Sequence, residues 1–380
     1  MKNFFKITAT IIILSLSSTN VFAKSDLKIG AILPLSGEHE LIGRNIYHSI
    51  LITIFELKNL DIKIIPLDTQ STEVGAKKAL SDGIEKKVDV FIGPIFIKTI
   101  KQIKDEPGFK DKIFISYSNH EEETYANVVN FGVNLSSQIN ALKSQFEDEN
   151  DFVFFGDQSE FTKKVYQKTK SFKSDSYDPI FYKNFKDIDL KVKEITNFEE
   201  RNKKHLEEIE KLENIEDNLD DEAIEKLKKH DTSEPVEFKK AFISSFDNEL
   251  IASISYFDFY DANFNDVQFV SLNLWFDRKF LIEPSLENLI FPSIDYEGYS
   301  ELNKKYKKDF GRDIYHLEVL SFDIIPLLAA TWFSLDKEEF KVSLLNGSYK
   351  GKTGNFTINQ NKVDRELNLY RIENKKFKKI

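Results

Sequence analysis

Apolar and polar residues alternate along this chain in blocks that predict strands and helices in turn. Short, nearly continuous apolar runs, such as Lys28–Leu33 and Ile62–Leu67, predict strands that are buried on both faces. Asn45–Lys58 and Thr72–Lys86 instead carry apolar residues at helical spacing. The same order returns from the strand Phe152–Phe155 onwards. The alternation predicts an α/β fold with two parallel sheets, each covered by helices on both faces.

A strongly acidic segment, Lys186–Glu237, interrupts the second half of this pattern. Within it, Leu206, Ile209, Leu212 and Ile215 repeat at three-residue steps, which predicts helices with one narrow apolar stripe. We interpret the segment as an inserted acidic helical arm. Two roles stay open for it. It is either a solvated extension that packs its stripe on its own lobe, or a contact arm for a partner protein.

The first 23 residues have the pattern of a secretory signal peptide. Lys2 and Lys6 precede the apolar run Ile7–Leu16, and Val21-Phe22-Ala23 supplies small residues for cleavage. The run is too short to span a bilayer well, so cleavage is favoured over a membrane anchor. The chain contains no cysteine, and therefore no site for an N-terminal lipid or a disulfide. We expect a periplasmic protein with no transmembrane segment after residues 1–23 are removed.

Charge and motif content argue against several classes of function. The formal net charge of −10 disfavours nucleic acid and anionic membranes as partners. The glycines Gly30, Gly37 and Gly43 do not have the spacing of a dinucleotide fingerprint, and no nucleophile elbow is present. The six histidines are scattered, so no metal site is expected. We therefore predict a non-catalytic protein without a cofactor.

Polar and aromatic residues follow several of the predicted strands, at the sheet edge where open α/β sheets bind ligands. The candidates for a ligand cleft, in chain order, are Ser36, Gly37, Pro94, Ser116, Tyr117, Ser118, Asn119, Trp275 and Asp277. Hydroxyl, amide and aromatic groups of this kind suit a small polar ligand. For each residue the alternative is a capping or turn role, and for Trp275 it is packing between lobes.

Several blocks of the sequence resemble known families. The block KIGAILPLSGEHELIGRNIYHSI resembles the start of type I periplasmic solute-binding proteins of the leucine-binding group. Further blocks, in order, are LDIKIIPLDTQSTEVGAKKAL, VDVFIGPIF, KIFISYSN, VQFVSLNLWFDRKFLIEPSLENLIFP and GKTGNFTINQNKVDREL. Together they resemble the penicillin-binding protein activator family and run from Lys28 to Leu367.

The resemblance implies two Rossmann-like lobes, the type I periplasmic-binding-protein fold. It implies three crossings between the lobes, near Phe131–Ser136, Ser285–Pro292 and Leu345–Lys350. Lobe 1 would then contain residues 28–134 and 292–345. Lobe 2 would contain residues 135–289 and 347–380, with the helical insertion at 186–237.

The same resemblance implies a non-catalytic periplasmic protein that regulates peptidoglycan synthesis through a synthase partner. The alternative is a solute-binding receptor of an ABC transporter for an amino acid or a similar small polar ligand. Leucine-type binders hold the ligand's α-carboxylate and α-amine with hydroxyl residues, whereas Ile95–Ile97 follow Gly93 here. Ser116, Ser118 and Asn119 are the remaining equivalents. This depletion of hydroxyl groups favours the regulator.

Overall fold

The computed structural model describes residues 26–58, 60–122, 124–146, 152–172, 179–214, 225 and 227–380. The predicted signal peptide and Ile215 of the predicted stripe lie outside these residues. Across the described residues, no helix combines the length and apolar character needed to cross a bilayer. The chain divides into two compact units. The first contains the described residues up to Ser137 together with Ile294–Leu367, and the second contains Gln138–Ser293 together with Asn368–Ile380.

Strands and helices alternate through most of the chain. The strands are β1 (Leu27–Leu33), β2 (Ile62–Asp68), β3 (Val90–Ile92), β4 (Ile113–Ser116), β5 (Val128–Asn130), β6 (Phe152–Asp157), β7 (Ile180–Tyr182), β8 (Lys240–Ser244), β9 (Gln268–Ser271), β10 (Ile290–Ser293), β11 (Gly347–Gly351), β12 (Gly354–Asn359), β13 (Lys362–Arg365), β14 (Asn368–Glu373) and β15 (Lys376–Lys379). The helices are α1 (Glu40–Glu56), α2 (Glu73–Glu85), α3 (Ile97–Ile103), α4 (Leu135–Leu142), α5 (Glu160–Thr169), α6 (Ile188–Ile195), α7 (Phe198–Glu213), α8 (Asp247–Phe259), α9 (Tyr296–Phe310), α10 (Ser321–Ser334) and α11 (Lys337–Leu345).

The first unit is built on a sheet with the strand order β11-β12-β13-β5-β4-β3-β1-β2. Its strands β2-β1-β3-β4-β5 are parallel. This is the 2-1-3-4-5 order of a doubly wound sheet, and it creates a switch point between β1 and β3. The β1 run LKIGAIL is almost wholly buried, as expected for a parallel strand with helices on both faces.

The second unit repeats this topology in its own sheet, with the order β15-β14-β10-β9-β8-β6-β7. The strands β7-β6-β8-β9-β10 are parallel and again follow the 2-1-3-4-5 order. The corresponding switch point therefore lies between β6 and β8. β14 extends the sheet in the antiparallel direction beside β10.

Phenylalanine rings fill the core of each unit. In the first unit, the ring of Phe114 stacks on Phe91 and on Phe109, with centroids 4.8 and 4.7 Å apart. In the second, Phe154 stacks on Phe242 with centroids 5.4 Å apart. Each ring buries a large apolar area, so these stacks contribute both hydrophobic burial and specific ring geometry to the two cores.

The C-terminal segment differs from the prediction, which assigned 347–380 as a whole to lobe 2. Strands β11 to β13 extend the sheet of the first unit, and only β14 and β15 join the second. The physical reason is a set of contacts with the first unit. The guanidinium of Arg365 donates to the carbonyl of Phe131 over 2.8 Å, and the ring of Phe356 packs on Phe131 with centroids 5.0 Å apart. The boundary lies after Leu367 rather than near Leu345–Lys350.

The predicted crossing at Ser285–Pro292 also contains regular structure. Its last residues belong to β10, which is buried and has β9 on one side and β14 on the other. The boundary between the units therefore falls after this strand, between Ser293 and Ile294. The first boundary falls inside α4, after Ser137.

The segment predicted as a helical arm begins within the body of the second unit. Helix α6 packs against α8 and buries Ile188 and Val192, so it belongs to the layer of helices that covers the sheet. Helix α7 follows and buries only Arg201 and His205 along its length. Leu206, which was assigned to the apolar stripe, is 57% exposed. Among the described residues of this segment, α7 follows α6, and Glu225 and Leu227 are also helical, while residues 215–224 and 226 lie outside the described part of the chain.

Candidate functional site

The loops that follow β1, β2 and β3 line a pocket of about 270 Å³ at the switch point of the first unit. Parallel strands end at the same edge of a sheet, so the three loops converge there. Pro34 follows β1, Thr69 follows β2, and Pro94 and Ile95 follow β3. The pocket therefore occupies the position at which open α/β sheets bind ligands.

Asp68, the last residue of β2, holds the loop that follows β1. Its Oδ1 atom accepts hydrogen bonds from the backbone N–H groups of Leu35 (2.9 Å), Ser36 (3.1 Å) and Gln70 (2.8 Å). Its Oδ2 atom accepts one from the Ser36 hydroxyl over 2.6 Å. Burial acts to raise the pKa of Asp68, but these hydrogen bonds outweigh it and hold the pKa below its usual value. The carboxylate stays ionised and fixes the loop.

Ser71 joins the same loop to the start of α2. Its hydroxyl accepts a hydrogen bond from the N–H of His39 (3.0 Å) and donates one to the carbonyl of Ser36 (3.1 Å). Gly37 lies between them with φ of +84°, and a Cβ atom there would come within 2.5 Å of the Gln70 carbonyl oxygen. Only glycine fits this turn. The two loops therefore form one hydrogen-bonded wall of the pocket.

Two hydroxyl groups of this wall form hydrogen bonds within the fold. Ser71 is engaged by the loop after β1, and the Thr72 hydroxyl accepts from the N–H of Gly75 over 3.0 Å as the N-cap of α2. The ring of His39 lies against Phe96 with centroids 4.8 Å apart. Thr69 and Thr99 also line the pocket with hydroxyl groups, so two of its four hydroxyl side chains are shown to bond within the fold.

Exposed apolar side chains lie at the starts of the three helices that follow β1, β2 and β3. Leu41 and Val74 are the second residues of α1 and α2 and are 77% and 79% exposed. Phe96, the N-cap of α3, is 39% exposed and lines the pocket. All three helices begin at the same edge of the sheet, because each follows a parallel strand. We call Leu41, Val74 and Phe96 the apolar edge.

The predicted site residues after β4 are mostly buried and bonded within the unit. The Ser116 hydroxyl donates to the carbonyl of Pro94 over 2.7 Å, and the Ser118 hydroxyl accepts from the N–H of His120 over 3.1 Å. The Tyr117 hydroxyl shares a 2.7 Å hydrogen bond with Ser321, and burial raises its pKa. Asn119 is exposed. Thus Ser36, Gly37 and Pro94 belong to the pocket region, whereas Tyr117 is part of the core.

The remaining predicted residues, Trp275 and Asp277, belong to the second unit. Trp275 is half-buried with φ of +51°, and its N–H donates to the Asn273 side chain over 2.8 Å. Asp277 caps a short 3₁₀ turn, since its Oδ1 atom accepts from the N–H of Lys279 over 3.0 Å. The capping role considered for Asp277 is therefore present, and the ligand role of both residues stays a prediction.

Three comparisons place this geometry among known proteins. No protein-family model and no curated protein matches the chain. Among solved structures, a putative branched-chain amino acid ABC transporter protein from Rhodospirillum rubrum matches 94% of this chain and 100% of its own, with a TM-score of 0.71 and 11% identity. A leucine-, isoleucine-, valine-, threonine- and alanine-binding protein from Brucella ovis matches 94% of each chain, with a TM-score of 0.66 and 12% identity.

The C-domain of LpoA from Haemophilus influenzae, described as a regulator of PBP1A, is also similar. It matches 93% of this chain and 99% of its own, with a TM-score of 0.62 and 12% identity. The chain has the type I periplasmic-binding fold. The predicted fold class is therefore confirmed, and the resemblance to leucine-binding and activator proteins is confirmed in the structures. Against full-length LpoA the match spans 59% of that chain.

The similar structures with the type I periplasmic-binding fold are named as binding, transport or regulatory proteins. At 11–12% identity, these similarities show the fold alone. Among the described residues, no group of three or more His, Asp or Glu is placed to hold a metal ion. The pocket of the first unit is lined by apolar, hydroxyl and charged side chains together, and its charged residues are Glu38 and Lys98.

Two contributors to this site were not among the predicted residues. Asp68 fixes the pocket wall, and Phe96 lines the pocket. Asp68 had a usable signal, because it is the first charged residue after the apolar run of β2 and so ends at the ligand-binding edge. The sequence shows only that Phe96 stands in a loop where leucine-type binders have a hydroxyl residue. In the structure its partly exposed ring lines the pocket at that position.

Proposed function

We propose that this chain is a non-catalytic periplasmic protein that regulates peptidoglycan synthesis by binding a synthase. The observation that carries the proposal is the apolar edge. Leu41, Val74 and Phe96 are exposed at this edge of the sheet, and two of the four hydroxyl side chains that line the pocket are bonded within the fold. Exposed apolar groups that recur on one edge are typical of a protein-binding surface.

Two further findings support the regulator. The sequence blocks from Lys28 to Leu367 resemble the penicillin-binding protein activator family. The structure of the LpoA C-domain, a regulator of PBP1A, has the same fold over 93% of this chain. These findings and the apolar edge together support synthase binding.

The test is the glycan polymerisation rate of a bifunctional penicillin-binding protein from the same organism, measured with increasing amounts of this protein. We expect a saturable increase in rate. The double variant Leu41→Asp/Val74→Asp should require at least ~10-fold more protein for the same increase, because it charges the centre of the contact. Both side chains are exposed, so folding should be unaffected within about 0.5 kcal/mol.

The matched control is Val342→Asp on α11, since Val342 is 60% exposed and does not line the pocket. This variant should stimulate the synthase as the wild type does. A synthase whose rate does not respond to the wild-type protein would overturn the proposal. Equal loss of stimulation in the control and in the double variant would remove the apolar edge from the contact.

A second candidate is a receptor of an ABC transporter for a small amino acid. The pocket of about 270 Å³ at the switch point favours it, because that volume suits a small ligand. Glu38 and Lys98 also line the pocket with opposite charges. Thermal unfolding with each amino acid in turn tests this candidate. A saturable rise in Tm with one amino acid, combined with no effect on the synthase, would replace the regulator by the receptor.

A further inference from the structure

The chain passes between the two units three times. These connections cross the unit boundaries after Ser137, after Ser293 and after Leu367. Close to each boundary, residues of the first unit are hydrogen-bonded to one buried cluster, which we call the crossing cluster. It consists of Asp323 of α10, Thr353 of the turn between β11 and β12, and Arg365 of β13. Buried charges such as these are stable only when hydrogen bonds compensate for the loss of water.

Asp323 fixes the turn between β11 and β12. Its Oδ1 atom accepts a hydrogen bond from the N–H of Lys352 over 2.6 Å, and its Oδ2 atom accepts one from the Thr353 hydroxyl. The backbone nitrogen of Thr353 is 3.3 Å from each carboxylate oxygen and donates to both. A Cβ atom at Gly351 would come within 2.3 Å of Oδ1, so the carboxylate lies directly against the backbone of the turn. The turn therefore cannot shift without breaking these hydrogen bonds.

The second connection is attached to this turn. Asp295 is the second residue of the first unit after the boundary, and its N–H donates to the carbonyl of Thr353 over 2.9 Å. Its side chain also caps α9, because Oδ1 accepts from the N–H of Gly298 over 3.0 Å. A Cβ atom at Gly298 would lie 2.0 Å from the Lys352 carbonyl oxygen, so the first turn of α9 contacts the β11–β12 turn directly. The chain is thus held from the second residue after this boundary.

Arg365 joins the third connection to the same turn and to the first connection. Its Nη1 atom donates to the Thr353 hydroxyl over 3.0 Å, and its Nη2 atom donates to the carbonyl of Phe131 over 2.8 Å. The guanidinium carbon lies 4.4 Å from the ring centroid of Phe131 and 5.2 Å from that of Phe356. The Thr353 hydroxyl donates to Asp323 and accepts from Arg365, whose Nη1 atom is 4.0 Å from Oδ2 of Asp323. One hydroxyl group therefore bridges the two charges.

The first and third connections are also bonded to each other. The backbone N–H of Arg365 donates to the Ser137 hydroxyl over 3.0 Å, and that hydroxyl donates to Oδ1 of Asp364 over 3.3 Å. The Asn134 side chain donates to the carbonyl of Val363 over 2.5 Å and accepts from the N–H of Ser137 over 2.8 Å. The start of α4 is therefore held along β13, up to the last residue before its boundary.

We propose that Asp323, Thr353 and Arg365 clamp the three connections to the first unit, as a conformational device that determines where the chain bends between the units. A hinge needs residues whose φ and ψ angles are free to change, and the hydrogen bonds of the crossing cluster restrict those angles on this side of all three boundaries. The residues that bend then lie on the second-unit side of each boundary. The inference concerns the movement of the units and so goes beyond the proposed binding of a synthase.

Introduced cysteines can report this movement, because the chain contains none of its own. Ser81→Cys on α2 and Gln167→Cys on α5 place one spin label at an exposed position of each unit. Double electron–electron resonance then measures the distribution of distances between the two labels. Arg365→Met should widen this distribution at least ~2-fold, because it removes two hydrogen-bond donors from the clamp. Thr353→Val keeps the side-chain volume but removes the bridging hydroxyl, and it should widen the distribution as well.

The matched control is Arg312→Met, which breaks another ion pair of the first unit. Nη2 of Arg312 is 2.6 Å from Oε1 of the buried Glu318, and neither residue bonds to the crossing cluster. This variant should lower the stability of the first unit and leave the distance distribution unchanged. Distributions as narrow as that of the wild type in both clamp variants would overturn the proposal, and so would equal widening in the control. Thr353→Val decides the matter if Arg365→Met does not fold.

Discussion

Replacing Asp68 by alanine tests whether one carboxylate holds the wall of the pocket. The change removes the acceptor of four hydrogen bonds, three of them from the backbone N–H groups of Leu35, Ser36 and Gln70. Each hydrogen bond to a charged group contributes ~1.5–3 kcal/mol when buried, but water replaces part of this at a half-buried site. We expect Asp68→Ala to lower the unfolding free energy of the first unit by about 2–4 kcal/mol. Asp68→Asn keeps one acceptor and should cost ~1 kcal/mol.

Urea unfolding of the wild type and both variants between pH 7 and pH 3 measures these differences. The pKa of Asp68 is lowered in the folded protein, so its stabilisation is present above the unfolded pKa of about 3.9 and is lost as the pH falls through the folded value. The gap between wild type and Asp68→Asn should therefore shrink in acid. Hydrogen exchange at Leu35 and Gln70 should accelerate in Asp68→Ala. An unfolding free energy equal to that of the wild type at pH 7 would refute the assigned role.

Two further substitutions test contacts that define the units. Arg201→Met removes the buried guanidinium that attaches α7 and should destabilise the second unit by about 2–4 kcal/mol, whereas Lys204→Met, at an exposed neighbour, should stay within about 0.5 kcal/mol. Thermal unfolding separates them, and equal Tm values would contradict the attachment. Gly351→Ala brings a methyl carbon within 2.3 Å of Oδ1 of Asp323 and should destabilise the first unit by at least ~2 kcal/mol. Gly311→Ala meets no atom within 4 Å but has φ of +71°, so a cost of only ~1 kcal/mol is expected, and a larger loss there than at Gly351 would contradict the steric argument.

The parallel core of the fold was predictable because its strands are buried on both faces. Runs such as Ile29–Leu33 and Phe152–Phe155 are apolar throughout, and no surface helix or edge strand needs that pattern. The segment after Leu345 is different. The strand Gly354–Asn359 buries alternate residues, which predicts a half-exposed strand but does not say which sheet it joins. Contacts with Phe131, more than two hundred residues earlier, make that choice.

The position of the candidate site was predictable from the sequence. The bonding state of its polar side chains was not. Strand ends identified Ser36 and Pro94 because parallel strands finish at one edge. The same rule nominated Ser116 and Tyr117 without showing whether their hydroxyl groups are free. In the structure Ser116 bonds to Pro94, and Tyr117 turns into the core to meet Ser321. Such pairings join residues that are distant in the sequence, so no local pattern reports them.

The apolar residues at the starts of helices are the feature that local structure explains least. The first turn of a helix favours acidic and capping residues, because its N–H groups are unpaired and the dipole is positive there. Leu41, Val74 and Phe161 each follow the leading glutamate of their helix, and none is buried. The ring of Phe246, the N-cap of α8, is tilted against that of Phe161 with centroids 5.8 Å apart, and Phe246 is also exposed. Val74 is moreover a poor helix former. Neither capping, helix propensity nor core packing calls for these side chains, yet they recur at the ligand-binding edge of each sheet. Contact with another surface, as proposed above, would give them a physical role, and this is the reason to test a protein partner before a dissolved metabolite.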